Sequence, residues 1–459
     1  HTRTHTHLTP YMHTHTHSYT HTHTTHHIRQ GFRARGVLTG LRFPVRPTDL
    51  SGTTGAALLT EMLRHGGHLP EGVCVLNVTD SGVNITDGLK GDKAILHVTY
   101  DTSASDDVNV LNQLPPQRFF VKFNVQKLGV ARLLVETTEV CRCEAMFYHD
   151  IAHRIRDIVP SPTCYYTDYS DFTGEFVLIS SVVPFGDGKI LPLKHRIRDA
   201  NVFEEHLLFV QTGAKLNATL WGENHPALAN IPRFDRTHTQ MWFIAQLTGR
   251  LGLRHTLNNT LKGRVVNQEW MTWAVPPELV GREVELINDM PAIMSSLCED
   301  TTMLAFGHND YTTDNAYFWH ADVRDHDRDR DYDRNRDHDR GRGRGRDRVA
   351  DTQLRFGLFD WQQGCVNNVG QEWAWNFHFL EPEFLTQHED TLINHILQMY
   401  ADNGVVVAKQ RFLSAYVLGT VQMFVWSGGG LQLLLADLHR RGLFANLRAG
   451  TCGGGGGGS

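Results

Sequence analysis

The sequence has few cysteines for its length. Seven occur among 459 residues, an odd number with no regular spacing. A secreted domain held together by disulfides needs paired cysteines, so this pattern argues against that class. We expect buried, reduced thiols and predict a cytoplasmic protein.

A hydrophobic run long enough to span a bilayer is also absent. The most apolar run, LSAYVLGTVQMFVW at 413–426, is short, contains Gln422 and is followed by glycines from Gly428. A transmembrane helix needs about 20 apolar residues, so we predict a buried C-terminal helix there and no membrane partner. The chain begins with His1, shows no apolar signal region, and is expected to be a fragment or a gene-model product.

A surplus of charge of one sign is lacking as well. The formal net charge is -6 at pH 7, with 20 % charged and 41 % hydrophobic residues. These values are typical of an ordinary globular protein. Domains that bind nucleic acid usually carry a basic surplus, so the sequence predicts no nucleic-acid partner and gives no indication of a protein partner.

Three segments of low complexity interrupt this composition. A His-Thr tract fills 1–35, an Asp-Arg-rich insertion fills 322–350 and a glycine-rich tail fills 451–459. They contain too little apolar surface to form a core, so we predict disorder in the first two and a flexible tail. Binding of a transition metal by the imidazoles of the His-Thr tract stays open as a separate hypothesis.

Between these segments, the order of predicted elements indicates the fold class. Runs rich in β-branched and aromatic residues predict strands at 73–78, 93–100, 118–125 and 175–183, followed by a strand pair in NAYFW and LRFGLFDW. Apolar residues at helical spacing predict helices at 136–155, 203–221 and 238–253. Strands followed by helices favour an α+β fold with a small β-rich N-lobe at 36–182 and a larger, mostly helical C-lobe at 183–450.

A polar loop beside one of these strands carries the candidate chemistry. In AFGHNDYTTDNAYFW, at 305–319, His308 and Asp310 precede Asn315, and the second strand of the pair ends in Asp360. A hairpin of this kind brings Asp310, Asn315 and Asp360 together. Two carboxylates and an amide form an oxygen-rich site suited to Mg²⁺, which usually shares its protein site with substrate phosphates.

A lysine in an apolar strand supplies a candidate phosphate ligand. Lys122 is the charged residue inside the apolar run FFVKFNV, so its ammonium either reaches the surface or meets a buried anion. Glu144, on the next predicted helix, is the expected partner. A lysine held by a carboxylate is well placed to bind phosphate.

Each of these residues also has a simpler structural explanation. Asp and Asn are common turn and capping residues, which would account for Asp310, Asn315 and Asp360 one at a time. A lone lysine such as Lys122 suits the edge of a sheet. Asp314 is expected to be a turn residue only. The order of the set along the chain is what favours chemistry.

That ordered set resembles a known superfamily. Lys122 in a strand, Glu144 in the next helix, H-N-D-x-x-x-x-N at 308–315 and F-D-W-Q at 359–362 look like the motifs of the aminoglycoside phosphotransferase and choline kinase-like superfamily. The closest resemblance is to its ecdysteroid-kinase-like branch, the CHK kinase-like domains. It covers roughly residues 60 to 440, and implies a two-lobed protein-kinase-like fold with ATP and Mg²⁺ as cofactors.

The resemblance implies a role for each matching residue. Asp310 would accept the proton of the substrate hydroxyl, and His308 would brace the loop. Asn315 and Asp360 would hold Mg²⁺. Lys122 would contact the α- and β-phosphates of ATP, and Glu144 would orient it.

Other implied positions depart from the usual pattern of the family. Residues 180–183 would form the hinge that meets adenine, with Ser180 and Ser181 in place of the usual acidic pair. Gly88 and Gly91 would form a sparse phosphate loop. Asn309 replaces the usual Gly, and Asn tolerates a left-handed backbone better than most residues.

Two functions therefore follow from the sequence. The first is an ATP-dependent phosphotransferase that acts on a hydroxyl of a small-molecule alcohol. The alternative is a nucleotide-binding pseudokinase or interaction module without catalysis, which the sparse glycines and Asn309 would suit.

Overall fold

A computed structural model describes residues 34–83, 85, 92–103, 112–124, 140–185, 190–191, 202–234, 283–322 and 352–425. Its strands are β1 (Ala34–Arg35), β2 (Arg42–Phe43), β3 (Cys74–Asp80), β4 (Lys93–Asp101), β5 (Arg118–Phe123), β6 (Cys164–Tyr169), β7 (Phe176–Ser181), β8 (Ile190–Leu191), β9 (Leu304–Gly307), β10 (Ala316–Asp322), β11 (Thr352–Leu358) and β12 (Cys365–Asn368). Its α-helices are α1 (Gly52–His65), α2 (Val140–Met146), α3 (Phe203–Thr219), α4 (Glu283–Glu299), α5 (Val369–His378), α6 (Pro382–Asp402) and α7 (Lys409–Val425). Gly88, Gly91, the predicted helix at 238–253 and nearly all of the low-complexity segments lie outside the described residues.

A five-stranded antiparallel sheet forms the first part of the fold. Its strand order is β3-β4-β5-β7-β6. Alternate residues of β4, including Ala94, Leu96 and Val98, are buried, as expected for a strand that packs one face against a core. The amphipathic helix α1 contributes Leu59 and Met62 to this core.

The alternation within β5 determines where Lys122 points. Phe119, Val121 and Phe123 belong to the core shared with α1. Successive side chains of a strand point to opposite faces, so Lys122 lies on the other face of the sheet. It is nevertheless buried, because α2 and the turn after β11 cover that face.

Two antiparallel strand pairs organise the second part of the fold. β10 pairs with β11 from Ala316 opposite Leu358 to Asp322 opposite Thr352, which confirms the predicted strand pair. β9 pairs with β12 through Gly307 opposite Cys365. The turns that follow β9 and β11 therefore lie near each other, and helices α3 and α5 pack against β9.

A large core lies among the helices of this second part. Its bulkiest buried side chains are aromatic and include Phe306, Trp361, Trp373 and Tyr400. Within the described ranges, no helix combines the length and the hydropathy that a bilayer span requires. The apolar run near the C-terminus lies in α7, which buries Phe412 on one side and exposes half of the Val417 side chain on another.

The predicted elements and the observed ones agree in kind. The predicted strands at 73–78, 93–100, 118–125 and 175–183 appear as β3, β4, β5 and β7, and the helix predicted at 203–221 appears as α3. The helix predicted at 136–155 is described from Val140 and widens into a π turn at Phe147–Ile151. Ala34 and Arg35, at the end of the tract predicted to be disordered, form β1. The two-lobed, kinase-like layout and its domain boundaries stay predictions.

Candidate active site

The centre of the site is a buried lysine between two carboxylates. Lys122 Nζ lies 2.7 Å from Glu144 Oε2 and 2.5 Å from Asp360 Oδ1. Burial lowers the pKa of Lys122, but the carboxylates of Asp360 and Glu144 raise it by more, so the net shift is upward and the ammonium is charged. Burial also raises the pKa of Glu144, which the ammonium offsets in part.

Three distant segments deliver these groups. Lys122 comes from β5, Glu144 from α2, and Asp360 from the turn after β11. The Phe147 ring, in the π turn after α2, stacks on Trp361 with the ring centroids 3.8 Å apart. Because Trp361 directly follows Asp360, this stack holds the helix of Glu144 against the turn of Asp360.

Asp360 occupies an uncommon backbone conformation. Its φ is 63°, in the left-handed region, and a 3₁₀ turn at Trp361–Gln363 follows. Gln362 Nε2 donates to Asp360 Oδ2 over 3.3 Å. The sharp turn ends β11 and directs the Asp360 carboxylate toward Lys122 rather than along the strand.

The loop after β9 carries a third carboxylate of the site, that of Asp310. Asp310 is half-buried, and its Oδ1 accepts a hydrogen bond of 3.1 Å from Trp375 Nε1. Asn315 Nδ2 donates to the backbone carbonyl of Asp310 over 2.9 Å. The carbonyl of Asn315 in turn accepts the N–H of Phe359, the residue before Asp360. The two loops are thus joined by hydrogen bonds.

His308 links the same two loops as a neutral imidazole. Its Nε2 lies 3.0 Å from the carbonyl of Phe359, and its Nδ1 lies 3.3 Å from the backbone nitrogen of Asp310. A carbonyl only accepts and a backbone N–H only donates, so the proton is on Nε2. Burial lowers the pKa of His308, which favours this neutral form.

A buried glutamate beneath the loop was not predicted from the sequence. Glu372, in α5, accepts hydrogen bonds from the backbone nitrogens of His308 at 2.7 Å and Asn309 at 3.3 Å, and from Asn217 Nδ2 at 2.7 Å. Burial raises its pKa to about 7, although these hydrogen bonds act in the opposite direction. A methyl group on Gly307 would overlap the Glu372 carboxylate, so any larger residue there would have to displace it.

The support of Glu372 continues into the helices. Asn217 Oδ1 accepts from the hydroxyl of Tyr400 over 3.0 Å, and that hydroxyl accepts from Trp373 Nε1 over 2.9 Å. The sequence offered one signal for this network, namely polar residues inside the otherwise apolar segments KLNATLW and VGQEWAWNF. That signal does not identify partners, because Asn217 and Glu372 lie far apart along the chain.

The predicted nucleotide-contacting residues lie partly within the described structure. Ser180 and Ser181 are in β7, where the Ser181 hydroxyl accepts a hydrogen bond from the backbone nitrogen of Thr163. The Ser180 side chain is buried in the sheet. Gly88 and Gly91 lie outside the described residues, and their proposed contact with phosphate stays a prediction.

The two loops carry oxygen atoms of the types that would hold a magnesium ion together with phosphate. Asp360 offers a carboxylate and Asn315 an amide oxygen, the hard ligands that Mg²⁺ prefers. Within the part of the chain that is described, no group of three or more His, Cys, Asp or Glu side chains could hold a metal alone. An ion at Asp360 and Asn315 would need water and substrate oxygens to complete its shell, which is usual for Mg²⁺.

Comparisons with known proteins give distant structural likeness only. No family model and no curated protein matches the chain. It is similar to the microcompartment-associated aminopropanol kinase, with TM-score 0.34, 10 % identity, and 84 % of this chain and 98 % of that chain covered. It is also similar to the aminoglycoside phosphotransferase APH(3'')-Id from Streptomyces rimosus, with TM-score 0.34, 13 % identity, and 80 % and 97 % covered. A thermostable mutant of the aminoglycoside phosphotransferase APH(4)-Ia gives TM-score 0.30, 11 % identity, and 78 % and 96 % covered. Scores this low show no activity, so any activity has to follow from the side chains of the site.

Proposed function

We propose that the protein is an ATP-dependent phosphotransferase that transfers the γ-phosphate to a hydroxyl of a small-molecule alcohol. The observation that carries this proposal is the buried Lys122 ammonium, held by Glu144 and Asp360 from distant parts of the chain. Burying the charges of Lys122 and Glu144 is costly unless they serve one another or a ligand. A fixed ammonium beside an oxygen-rich metal site suits a nucleotide phosphate.

The residues of the site divide the work. Lys122, oriented by Glu144, binds the α- and β-phosphates of ATP. Asp360 and Asn315 hold Mg²⁺, which supplies positive charge to the phosphate oxygens when bound. Asp310 accepts the proton of the acceptor hydroxyl as that oxygen forms a bond to the γ-phosphorus. The bond from the γ-phosphorus to the oxygen that bridges it to the β-phosphate breaks, and ADP leaves.

Neighbouring groups keep the proposed base in place. Trp375 Nε1 donates to Asp310 Oδ1 and restricts rotation of the carboxylate. The neutral His308 joins the backbone of Asp310 to that of Phe359, beside the metal ligand Asp360. The base and the metal site therefore keep a fixed separation, which transfer of a phosphoryl group requires.

One observation favours a second candidate, a nucleotide-binding protein without catalysis. Asp360 Oδ1 is engaged by the Lys122 ammonium, and Mg²⁺ binding at this oxygen has to displace or share that contact. A protein that binds nucleotide weakly and turns nothing over would keep this ion pair. Binding and turnover are therefore measured separately.

The experiment combines both measurements. Thermal unfolding is followed with Mg-ATP up to millimolar concentrations, since a ligand at 100 times its Kd stabilises the folded state by about 2.7 kcal/mol. ATP turnover is then measured with amino alcohols, aminoglycosides, sugar alcohols and sterols. Stabilisation with turnover on one of these classes supports the phosphotransferase. Stabilisation without turnover on any class supports the second candidate. If the protein shows neither stabilisation nor turnover, both candidates are contradicted.

A matched pair of variants tests the base. Asp310→Asn keeps the shape of the side chain and removes the proton acceptor, so turnover should fall by at least about 10²-fold. Asp314→Asn, in the same loop, removes a carboxylate from a residue expected to serve the turn and should leave most of the turnover. Wild-type turnover in Asp310→Asn would contradict the role of Asp310.

A further inference from the structure

Asn309 lies between the proposed base and the strand that precedes it, and it is buried. Its side chain is buried, and its φ is 56°, in the left-handed region that favours glycine. Asn adopts this conformation more readily than other residues with a side chain. The sequence alone indicates that Asn309 replaces a glycine without disturbing the backbone. Its side-chain contacts indicate that the side chain also has a structural role.

The Asn309 amide contacts three residues of the two neighbouring strands and one residue, Gln363, of the turn before β12. Its Nδ2 lies 3.1 Å from each of the carbonyl oxygens of Gly307, Gln363 and Cys365. Its Oδ1 accepts a hydrogen bond of 2.6 Å from Asn367 Nδ2. Because an amide nitrogen carries two hydrogens, the three carbonyls share them, and both ends of the side chain are used.

These contacts cross the end of one strand pair. β9 and β12 are antiparallel, with Gly307 opposite Cys365. The chain leaves this end of β9 toward Asp310, and it arrives at this end of β12 from Asp360. The Asn309 side chain lies between the segment that leaves β9 and the segment that enters β12. It thereby joins the loop of the proposed base to the loop of the proposed metal ligand.

We propose that Asn309 is a positioning residue that fixes the separation of Asp310 and Asp360 during phosphoryl transfer. This inference rests on the proposed function for its kinetic consequence but not for its structural one. A glycine would permit the same backbone and would remove these side-chain contacts. The two segments would then be joined by the pairing of β9 with β12 and by the hydrogen bonds of His308 and Asn315 to Phe359. The Asn309 side chain is therefore not needed for the backbone conformation, and its contribution is the cross-link between the two segments.

The kinetic test uses a substitution that keeps the backbone. Asn309→Gly retains the left-handed conformation and deletes the cross-link. Misplacement of a reacting group by about 1 Å costs up to about 10²-fold, so kcat should fall by about 10- to 100-fold. The KM for Mg-ATP should change by less than about twofold, because the substitution does not alter Lys122 and Glu144, which are proposed to bind the phosphates. The control Asn403→Gly, at an exposed position after α6, should change neither constant.

A second readout does not depend on activity. Hydrogen–deuterium exchange should become at least about tenfold faster in Asn309→Gly at both 308–310 and 363–367, since the cross-link protects both segments. Asn367→Ala, which removes the donor to Asn309 Oδ1, should accelerate the same two segments by a smaller factor. This variant also tests the inference if Asn309→Gly does not fold.

The outcomes separate the inference from the proposed function. Faster exchange in both segments without turnover in the wild type supports the cross-link and contradicts the phosphotransferase. If the wild type turns over ATP and Asn309→Gly has the same kcat as the wild type, the positioning role is overturned. If exchange becomes faster at 308–310 but not at 363–367, the cross-link is overturned, whether or not the wild type shows turnover.

Discussion

The buried carboxylate of Glu372 should make the stability of the protein depend on pH in a defined direction. Its pKa is raised from the ordinary 4.5 to about 7, with burial as the main cause. A carboxyl group whose pKa is higher in the folded state binds its proton more tightly there. Its stabilising contribution is therefore complete below pH 4.5 and is lost as pH rises through about 7.

The size of the effect follows from the two pKa values. One pH unit corresponds to about 1.4 kcal/mol, so the shift from 4.5 to about 7 corresponds to a loss of about 3 kcal/mol across this window. Glu372→Gln removes the titration. It also turns an amide N–H toward one of the three donors that now face the carboxylate, so we expect lower stability at every pH.

The assay is urea unfolding at a series of pH values from 4.5 to 8.5. The free energy of unfolding of the wild type minus that of Glu372→Gln should decrease by about 3 kcal/mol over this range. Glu71→Gln, at an exposed position, should run parallel to the wild type. Parallel curves for the wild type and Glu372→Gln would refute the raised pKa and the burial that causes it.

Two further predictions concern residues in contact with the site. Lys122→Met leaves Glu144 and Asp360 without their cation, so the free energy of unfolding at pH 7 should fall by about 3–5 kcal/mol in urea titrations and Mg-ATP should no longer raise Tm. The exposed Lys409→Met should leave both quantities nearly unchanged, and equal losses in the two variants would contradict the reasoning. Gly307→Ala places a methyl group against the Glu372 carboxylate and should lower the free energy of unfolding by about 1–3 kcal/mol, whereas a neutral result would show that the loop adjusts easily.

Local patterns in the sequence were sufficient for six strands, β3, β4, β5, β7, β10 and β11, and they singled out Lys122 as a charge in need of a partner. Lys122 could be singled out because a charge inside an apolar strand needs a partner, and the period of a strand separates it from Val121 and Phe123. The strand pair β10 and β11 could be predicted because both runs are rich in aromatic and β-branched residues. Helix α1 was missed, although Ala56, Leu59 and Met62 have helical spacing.

The hydrogen-bond network under the loop could not be predicted in the same way. Glu372 reaches His308 across 64 positions of sequence, and Asn217 reaches Glu372 across 155. No periodicity connects residues so far apart, and their pairing depends on how α3 and α5 pack against β9. The short, polar β12 was missed for a related reason, since CVNN carries no strand-like alternation and forms a strand through its pairing with β9.

Two residues near the site have backbone conformations that their residue types disfavour. Among the described residues, Asn309 and Asp360 are the non-glycine residues with positive φ, and they flank the proposed chemistry in the two loops. Each left-handed residue costs about 1–2 kcal/mol, so both conformations need compensation from the surrounding structure. Asn309 has this compensation in the hydrogen bonds of its side chain, and Asp360 has it in its contacts with Lys122 and Gln362. The contacts of Asn309 also join its loop to the segment 363–367, so replacing that side chain should loosen both. The contacts of Asp360 instead hold its turn together and against β5, so replacing it should loosen that turn first.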